Sequence, residues 1–234
     1  MTTEEFSNEF DTLLDAFGAK SSYGDTDSAI HIEIDEYEKS VLLTKAQEDI
    51  VINLYSGRNS YGLSFEETEE LRRYLESLVK TASPNSTQGD GVSENSVFYQ
   101  LPSDLWFITY ETAKFGNDAT CEANKQALVV PTTQDDFWKI NQNPFRRANK
   151  RRVLRLDCGE NKVELISTYS ISKYVVRYMA RPTPIVLENL EEPLSVNGVN
   201  TRTECTLRSA LHRLILERAV EMATKKNTAI KNNQ

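Results

Sequence analysis

His31 and His212 are the only imidazoles in this 234-residue chain, so acid–base chemistry near neutral pH has two candidate proton carriers. A hydrolytic triad needs such a base oriented beside a nucleophile, and neither histidine accompanies a motif such as G-x-S-x-G. His212 follows Leu211 in an apolar-periodic segment, which suits a half-buried boundary residue better than a base. Cys121, Cys158 and Cys205 are too few and too far apart for a disulfide framework or a zinc site, and read as small apolar residues. Gly18-Ala19-Lys20-Ser21 has the Lys-Ser pair of a phosphate loop, but its glycine is not adjacent to the lysine and no apolar strand precedes it. Asp25-Thr26-Asp27 opens like a calcium loop, yet Ala29 and Ile30 stand where a ligand and the turn glycine belong. Asp135 and Asp136 sit at an expected helix start, where adjacent carboxylates complement the dipole. No metal, cofactor or catalytic constellation emerges, and the chain reads as non-enzymatic.

The strongest local signal is electrostatic. The run Asn143-Pro144-Phe145-Arg146-Arg147-Ala148-Asn149-Lys150-Arg151-Arg152, with Arg155, places six cations in ten positions of an acidic protein. Three readings are open. The segment can bind nucleic-acid phosphate, releasing counterions. It can pair with the acidic N-terminal part of a neighbouring copy or of another protein. It can also be a solvated loop ahead of a strand. Phe145 and the absence of a recognition fold weigh against specific base reading.

The net charge of −8 is divided unevenly. Residues 1–79 hold 18 acidic and 6 basic residues, a net of −12, while residues 80–234 hold 17 and 21, a net of +4. Opposite fields on two regions suit head-to-tail contact between copies, although acidic helices also serve plain solubility.

These groups must be positioned by elements of two periods. Phe6, Phe10, Leu13, Leu14 and Phe17 predict a short amphipathic helix stopped by Gly18, followed by a polar stretch over 21–28. Tyr37, Val41, Leu42, Ala46, Ile50, Leu54 and Tyr55 give a second apolar face closed by Gly57. Ser64 and Glu67 form a capping-box pattern opening a third helix with Leu71, Tyr74, Leu75, Leu78 and Val79 on one side. The two longer helices, joined by the 57–63 link, are expected to lie antiparallel as a hairpin. Residues 81–96 are Ser, Thr, Asn and Gly with one Pro, the composition of a flexible linker.

After it the period becomes two. Residues 97–101, 105–111, 127–130, 153–157, 163–167 and 174–179 read as strands separated by turn chemistry at 102–104, 115–118 and 158–161. Asn197-Gly198 marks a tight hairpin. Pro182 and Pro184 suit an edge strand or an extended arm, and residues 135–142 one short helix. Leu207, Ala210, Leu211, Leu214, Ile215, Arg218, Ala219 and Met222 return to helical spacing, with Lys225 and Lys226 in the last turn. The predicted fold class is α+β. It comprises an N-terminal helical part (1–80), a flexible linker (81–96), a sandwich- or barrel-like β-rich insertion with one short helix (97–202), a C-terminal helix packing back on the helical part (203–226), and a frayed tail (227–234). No apolar run approaches a membrane span, and the acidic start is unlike a signal peptide, so cytosolic synthesis is expected.

Several strings carry a family resemblance. They are Asp35-Glu36-Tyr37-Glu38-Lys39-Ser40-Val41-Leu42-Leu43-Thr44-Lys45-Ala46-Gln47-Glu48, Asn53-Leu54-Tyr55-Ser56-Gly57, and Phe65-Glu66-Glu67-Thr68-Glu69-Glu70-Leu71-Arg72. To these add Asn143-Pro144-Phe145-Arg146, Arg152-Val153-Leu154-Arg155-Leu156-Asp157, Tyr178-Met179-Ala180-Arg181-Pro182-Thr183-Pro184-Ile185-Val186-Leu187 and the 211–220 helix. Together they resemble structural proteins of crAss-like tailed bacteriophages of gut bacteria, over residues 35–225. The resemblance implies a virion component of the neck or short tail, a portal-proximal head-to-tail connector (adaptor) ring that commonly has twelvefold symmetry. Its implied partners are further copies of itself, the portal protein and adjacent ring proteins, with transient non-specific contact with channel DNA and no membrane. The alternative from residues alone is a soluble nucleic-acid-binding accessory protein using the basic 146–155 segment. Candidate interface residues are Arg146, Arg147, Lys150, Arg151, Arg152 and Arg155, with Arg181, Pro182, Pro184 and Ile185 as an extended arm laid on a neighbour.

Overall fold

The computed structural model describes residues 1–21, 34–59, 62–93, 95–116 and 125–231. His31, Cys121 and the Asp25-Thr26-Asp27 triplet lie outside them, as do parts of the expected 57–63 link and 115–118 turn. Chain order is α1 (Thr3–Ser21), α2 (Glu36–Ser56), α3 (Glu69–Leu75), a 3-10 turn (Glu76–Leu78), β1 (Val79–Ala82), β2 (Ser86–Thr87), β3 (Ser96–Gln100), β4 (Leu105–Phe115), β5 (Gln126–Pro131), α4 (Gln134–Gln142), β6 (Arg152–Asp157), β7 (Lys162–Ile166), β8 (Ile171–Ala180) and α5 (Ser209–Lys231). The fold is α+β. Two units divide it: Met1–Leu78 with Pro182–Gln234, and Val79–Arg181.

In the helical unit α2 starts where Asp35 accepts a hydrogen bond from Glu38 N (2.6 Å) and stops at Gly57, whose φ of 79° few other residues adopt cheaply. Helix α1 continues through Gly18 to Ser21, so that glycine is not a stop. The Ser64 and Glu67 pattern forms a turn, with Ser64 N donating to Glu67 Oε2, but the helix begins one turn later under Thr68, which accepts from Leu71 N (3.3 Å). Being only seven residues long, α3 makes a minor partner for α2. The principal partner of α2 is α5, which also carries α1. Their buried faces join Phe6, Phe10 and Leu14 of α1, Leu43, Ile50 and Val51 of α2, and Ile215, Leu216, Ala219 and Val220 of α5. Val41, Ala210 and Leu214, expected inside, are exposed. Lys39 is buried against Asp11 and Glu36, both at 2.8 Å. Burial opposes its charge, but the hydrogen bonds and negative charges of the two carboxylates together outweigh it and raise the pKa.

His212 is buried in this core beside Phe6, with ring centroids 5.4 Å apart. Leu207 O, which can only accept, lies 2.9 Å from Nε2, so that nitrogen carries the proton; Nδ1 then accepts from the Met1 amine (2.9 Å). Burial holds the His212 pKa below its ordinary value of 6.5. Below that value the unfolded chain binds a proton that the folded one resists, so stability is full above pH 6.5 and falls on acidification. Urea midpoints measured between pH 5 and 8 are expected to show this slope, and His212→Gln to flatten it.

The second unit is one eight-stranded sheet in the order β1-β8-β4-β5-β6-β7-β3-β2, antiparallel except between β5 and β6. Laid flat, strands about 4.8 Å apart would separate its two edges by about 33 Å. Only Ser83, Pro84 and Asn85 join those edges, a reach of about 15 Å at most. The sheet therefore curls until β1 and β2 approach one another, in the barrel-like manner expected. Its concave side holds Tyr99, Phe115, Val129, Val153, Leu165, Tyr174, Val176 and Tyr178, and the opposite side seats α4 on Ala148, Leu154, Leu156 and Ile166.

The stretch expected to be a linker belongs to this sheet. Residues 81–82 complete β1 and 86–87 form β2. Beyond them Val92 N donates to Glu164 Oε1 (2.7 Å) and Gln88 O accepts from Lys162 Nζ (2.9 Å). A Cβ at Gly91 would lie 2.2 Å from Ser96 Cβ, so glycine here permits close approach and does not signal flexibility. Polar composition alone concealed that packing.

Candidate functional site

Strands β5 and β6 run parallel, so the chain between them must cross back over the sheet. Helix α4 and the basic turn are that crossover. Phe137 and Ile140 rest on the sheet, yet no residue of α4 is fully buried and Trp138 is 68% exposed. The turn that follows is braced from within. Asn143 Oδ1 accepts from Phe145 N (3.0 Å), and its carbonyl accepts from Arg146 N (3.0 Å) and Arg147 N (2.9 Å). Arg152 Nη1 donates to the carbonyls of Phe145 and Arg146, both at 3.0 Å. Phe145 is thereby held outward, 86% exposed.

The six cations that looked alike in sequence thus do different things. Arg146, Arg147 and Arg151 are exposed, and their guanidinium groups make no hydrogen bond or ion pair with any described residue. Lys150 is exposed beside them. Arg152 clamps the turn. Arg155 is no interface residue: it is 9% exposed, and Nη1 lies 2.7 Å from Glu111 Oε1. Residue 155 shares a face of β6 with Val153, opposite Leu154 and Leu156, and so points into the concave core, where Glu111 also accepts from Tyr174 Oη (2.5 Å). Asp157 Oδ1 stands 3.2 Å from Arg155 Nε, an ion-pair contact without hydrogen-bond geometry.

The expected arm is also corrected. Arg181 is exposed, but Pro182, Pro184 and Ile185 are buried, seated on α2 of their own chain. Two prolines leave this segment short of backbone donors, and the side chains of α2 pair with what remains. Leu187 N donates to Ser40 Oγ (3.0 Å), Ile185 N to Thr44 Oγ1 (3.0 Å), and Gln47 Nε2 donates to Thr183 O (3.1 Å). Alternate residues of an extended strand thus match positions four and three apart on a helix face. Sequence reasoning missed Ser40, Thr44 and Gln47, since buried polar residues on a helix look like its solvent side.

Among the described residues no cluster of His, Cys, Asp and Glu can hold a metal ion, and no helix is long and apolar enough to cross a membrane. Cys158 is exposed, not apolar filling. The units differ in charge: Met1–Leu78 with Pro182–Gln234 holds 24 acidic and 13 basic residues, a net of −11, while Val79–Arg181 holds 11 and 14, a net of +3.

The turn is thus a braced, outward-facing projection of one aromatic and several cationic side chains. The family model for phage tail ring protein 3/4 matches residues 1–234. The chain belongs to that family. Ring protein 3 of Bacteroides phage crAss001 is 48% identical over 239 residues, covering all of both chains. Ring protein 4/5 of the same phage is 34% identical over 239 residues, covering 95% of this chain and 92% of the relative. The resemblance to crAss-like phage structural proteins is thereby established, and with it a structural role in a tail ring of the virion. Membership of a ring family carries self-association with it, alongside other tail ring proteins.

Proposed function

We propose that this ring protein is a non-enzymatic subunit of the head-to-tail connector, closing around the DNA channel and bridging the portal to the tail. The full-length match to the ring family carries this reading. A contact in which one face of a copy binds a different face of the next closes into a ring when the rotation closes, and twelve copies would match a portal of that symmetry. The net charges of −11 and +3 on the two units supply surfaces of opposite sign for such a contact. Exposed ion pairs contribute only about 0–1 kcal/mol each, so they set approach and register while apolar burial holds the ring. Arginines reaching the channel would meet phosphate transiently. Host-cytoplasmic synthesis precedes incorporation. Cryo-electron microscopy of the intact particle's neck is expected to show a closed ring of this chain in contact with the portal stack. Absence of the chain from purified particles would remove the reading.

A further inference from the structure

Copies of the ring protein need a second surface to receive the basic turn, and the helical unit presents one. Between Val186 and Thr203, which bond each other in both directions (3.2 and 3.0 Å), the chain makes an excursion braced by Leu190 N to Asn200 O (2.7 Å) and Val196 to Val199 (2.9 and 3.0 Å). Asn197 Nδ2 pins it to Glu48 Oε1 (3.0 Å) and Arg202 N to Asn189 Oδ1 (2.8 Å). Along this excursion Glu188, Glu191 and Glu192 are exposed, and their carboxylates make no hydrogen bond or ion pair with any described residue. Leu194 beside them is 43% exposed.

We propose that the 143–152 turn of one copy docks on the 188–194 loop of the next, with Arg146, Arg147 and Arg151 facing Glu188, Glu191 and Glu192. Phe145 and Leu194 provide the apolar centre. The inference rests on the ring reading. Three unpartnered cations and three unpartnered carboxylates match in number and sign, and each set lies in a short segment that also carries an exposed apolar side chain. Both surfaces are held by internal hydrogen bonds, so little order is lost on docking. Because the surfaces differ, the contact is heterologous and can close a ring.

The test compares incorporation into purified phage particles for wild type, R146E/R147E/R151E, E188R/E191R/E192R and the combined six-fold reversal. Each triple variant is expected to fall at least about tenfold, since like charges then face each other, and the combination to recover. Wild-type-like incorporation of either triple variant, or no recovery in the combination, overturns the contact while a wild-type ring leaves the ring reading standing. Absence of wild type from particles removes both. Against misfolding of the reversed variants, Phe145→p-benzoylphenylalanine is photolysed in assembled particles. A dimer joined to a peptide containing residues 188–194 supports the contact; a link to the portal, another ring protein or DNA overturns it.

Discussion

Glu111→Ala is expected to destabilise the β unit by about 3–5 kcal/mol, because it leaves the Arg155 guanidinium inside the curled sheet with only the exposed Asp157 carboxylate as counter-charge. At 5% exposure, Glu111 cannot be replaced by water without opening the core. Tyr174 offers Arg155 no substitute charge. Burial, followed by the neighbouring Glu111 carboxylate, pushes its hydroxyl far above the ordinary phenol range, so it remains a neutral donor. Paired replacement of Glu111 and Arg155 by methionine is expected to recover much of the loss, since apolar groups of similar volume remove the desolvation penalty on both sides. The readout is built in. Trp106 and Trp138, the two tryptophans of the chain, both lie in Val79–Arg181, so tryptophan fluorescence in urea follows this unit. A loss under about 1 kcal/mol for the single variant would mean that the pair is solvated.

Thr44→Val acts on the other unit and is expected to cost about 2–4 kcal/mol, since it leaves two buried backbone groups without partners. The Thr44 hydroxyl accepts from Ile185 N (3.0 Å) and donates to Ile185 O (3.2 Å), and valine keeps the shape while removing both bonds. Thr44→Ser retains the hydroxyl and is expected to lose much less. Faster hydrogen exchange at Ile185 and a lower midpoint by far-ultraviolet circular dichroism check the effect, with tryptophan fluorescence as the contrast. Equal behaviour of the Val and Ser variants would show that the hydroxyl contributes nothing.

The α+β organisation was legible because period decides it: Phe6, Phe10 and Leu14 recur as a helix face, and Val153 to Asp157 alternate as a strand. The Asn197-Gly198 hairpin was legible too, since both residues take positive φ, 50° and 82°. Charge sign alone could not sort the basic run. Arg155 joined its neighbours because its buried partner lies 44 residues away on another strand. The one available signal was its two-residue spacing from Val153, which places both on one face. The polar stripe on α2 was hidden for the converse reason: Ser40, Thr44 and Gln47 are buried only because a proline-broken segment about 140 residues later needs partners for its backbone. The linker reading failed on composition, since Gly89 and Gly91 are small in order to pass close over Phe98 and Ser96.

The helical unit is stitched from both ends of the chain, whereas the curled sheet is one continuous stretch. On the ribosome the sheet can close as soon as residue 181 has emerged, but α1 and α2 wait for α5, which is translated last. A nascent polypeptide therefore lacks a finished helical unit until α5 has been translated, and a product truncated before α5 lacks the helix on which α1 and α2 pack.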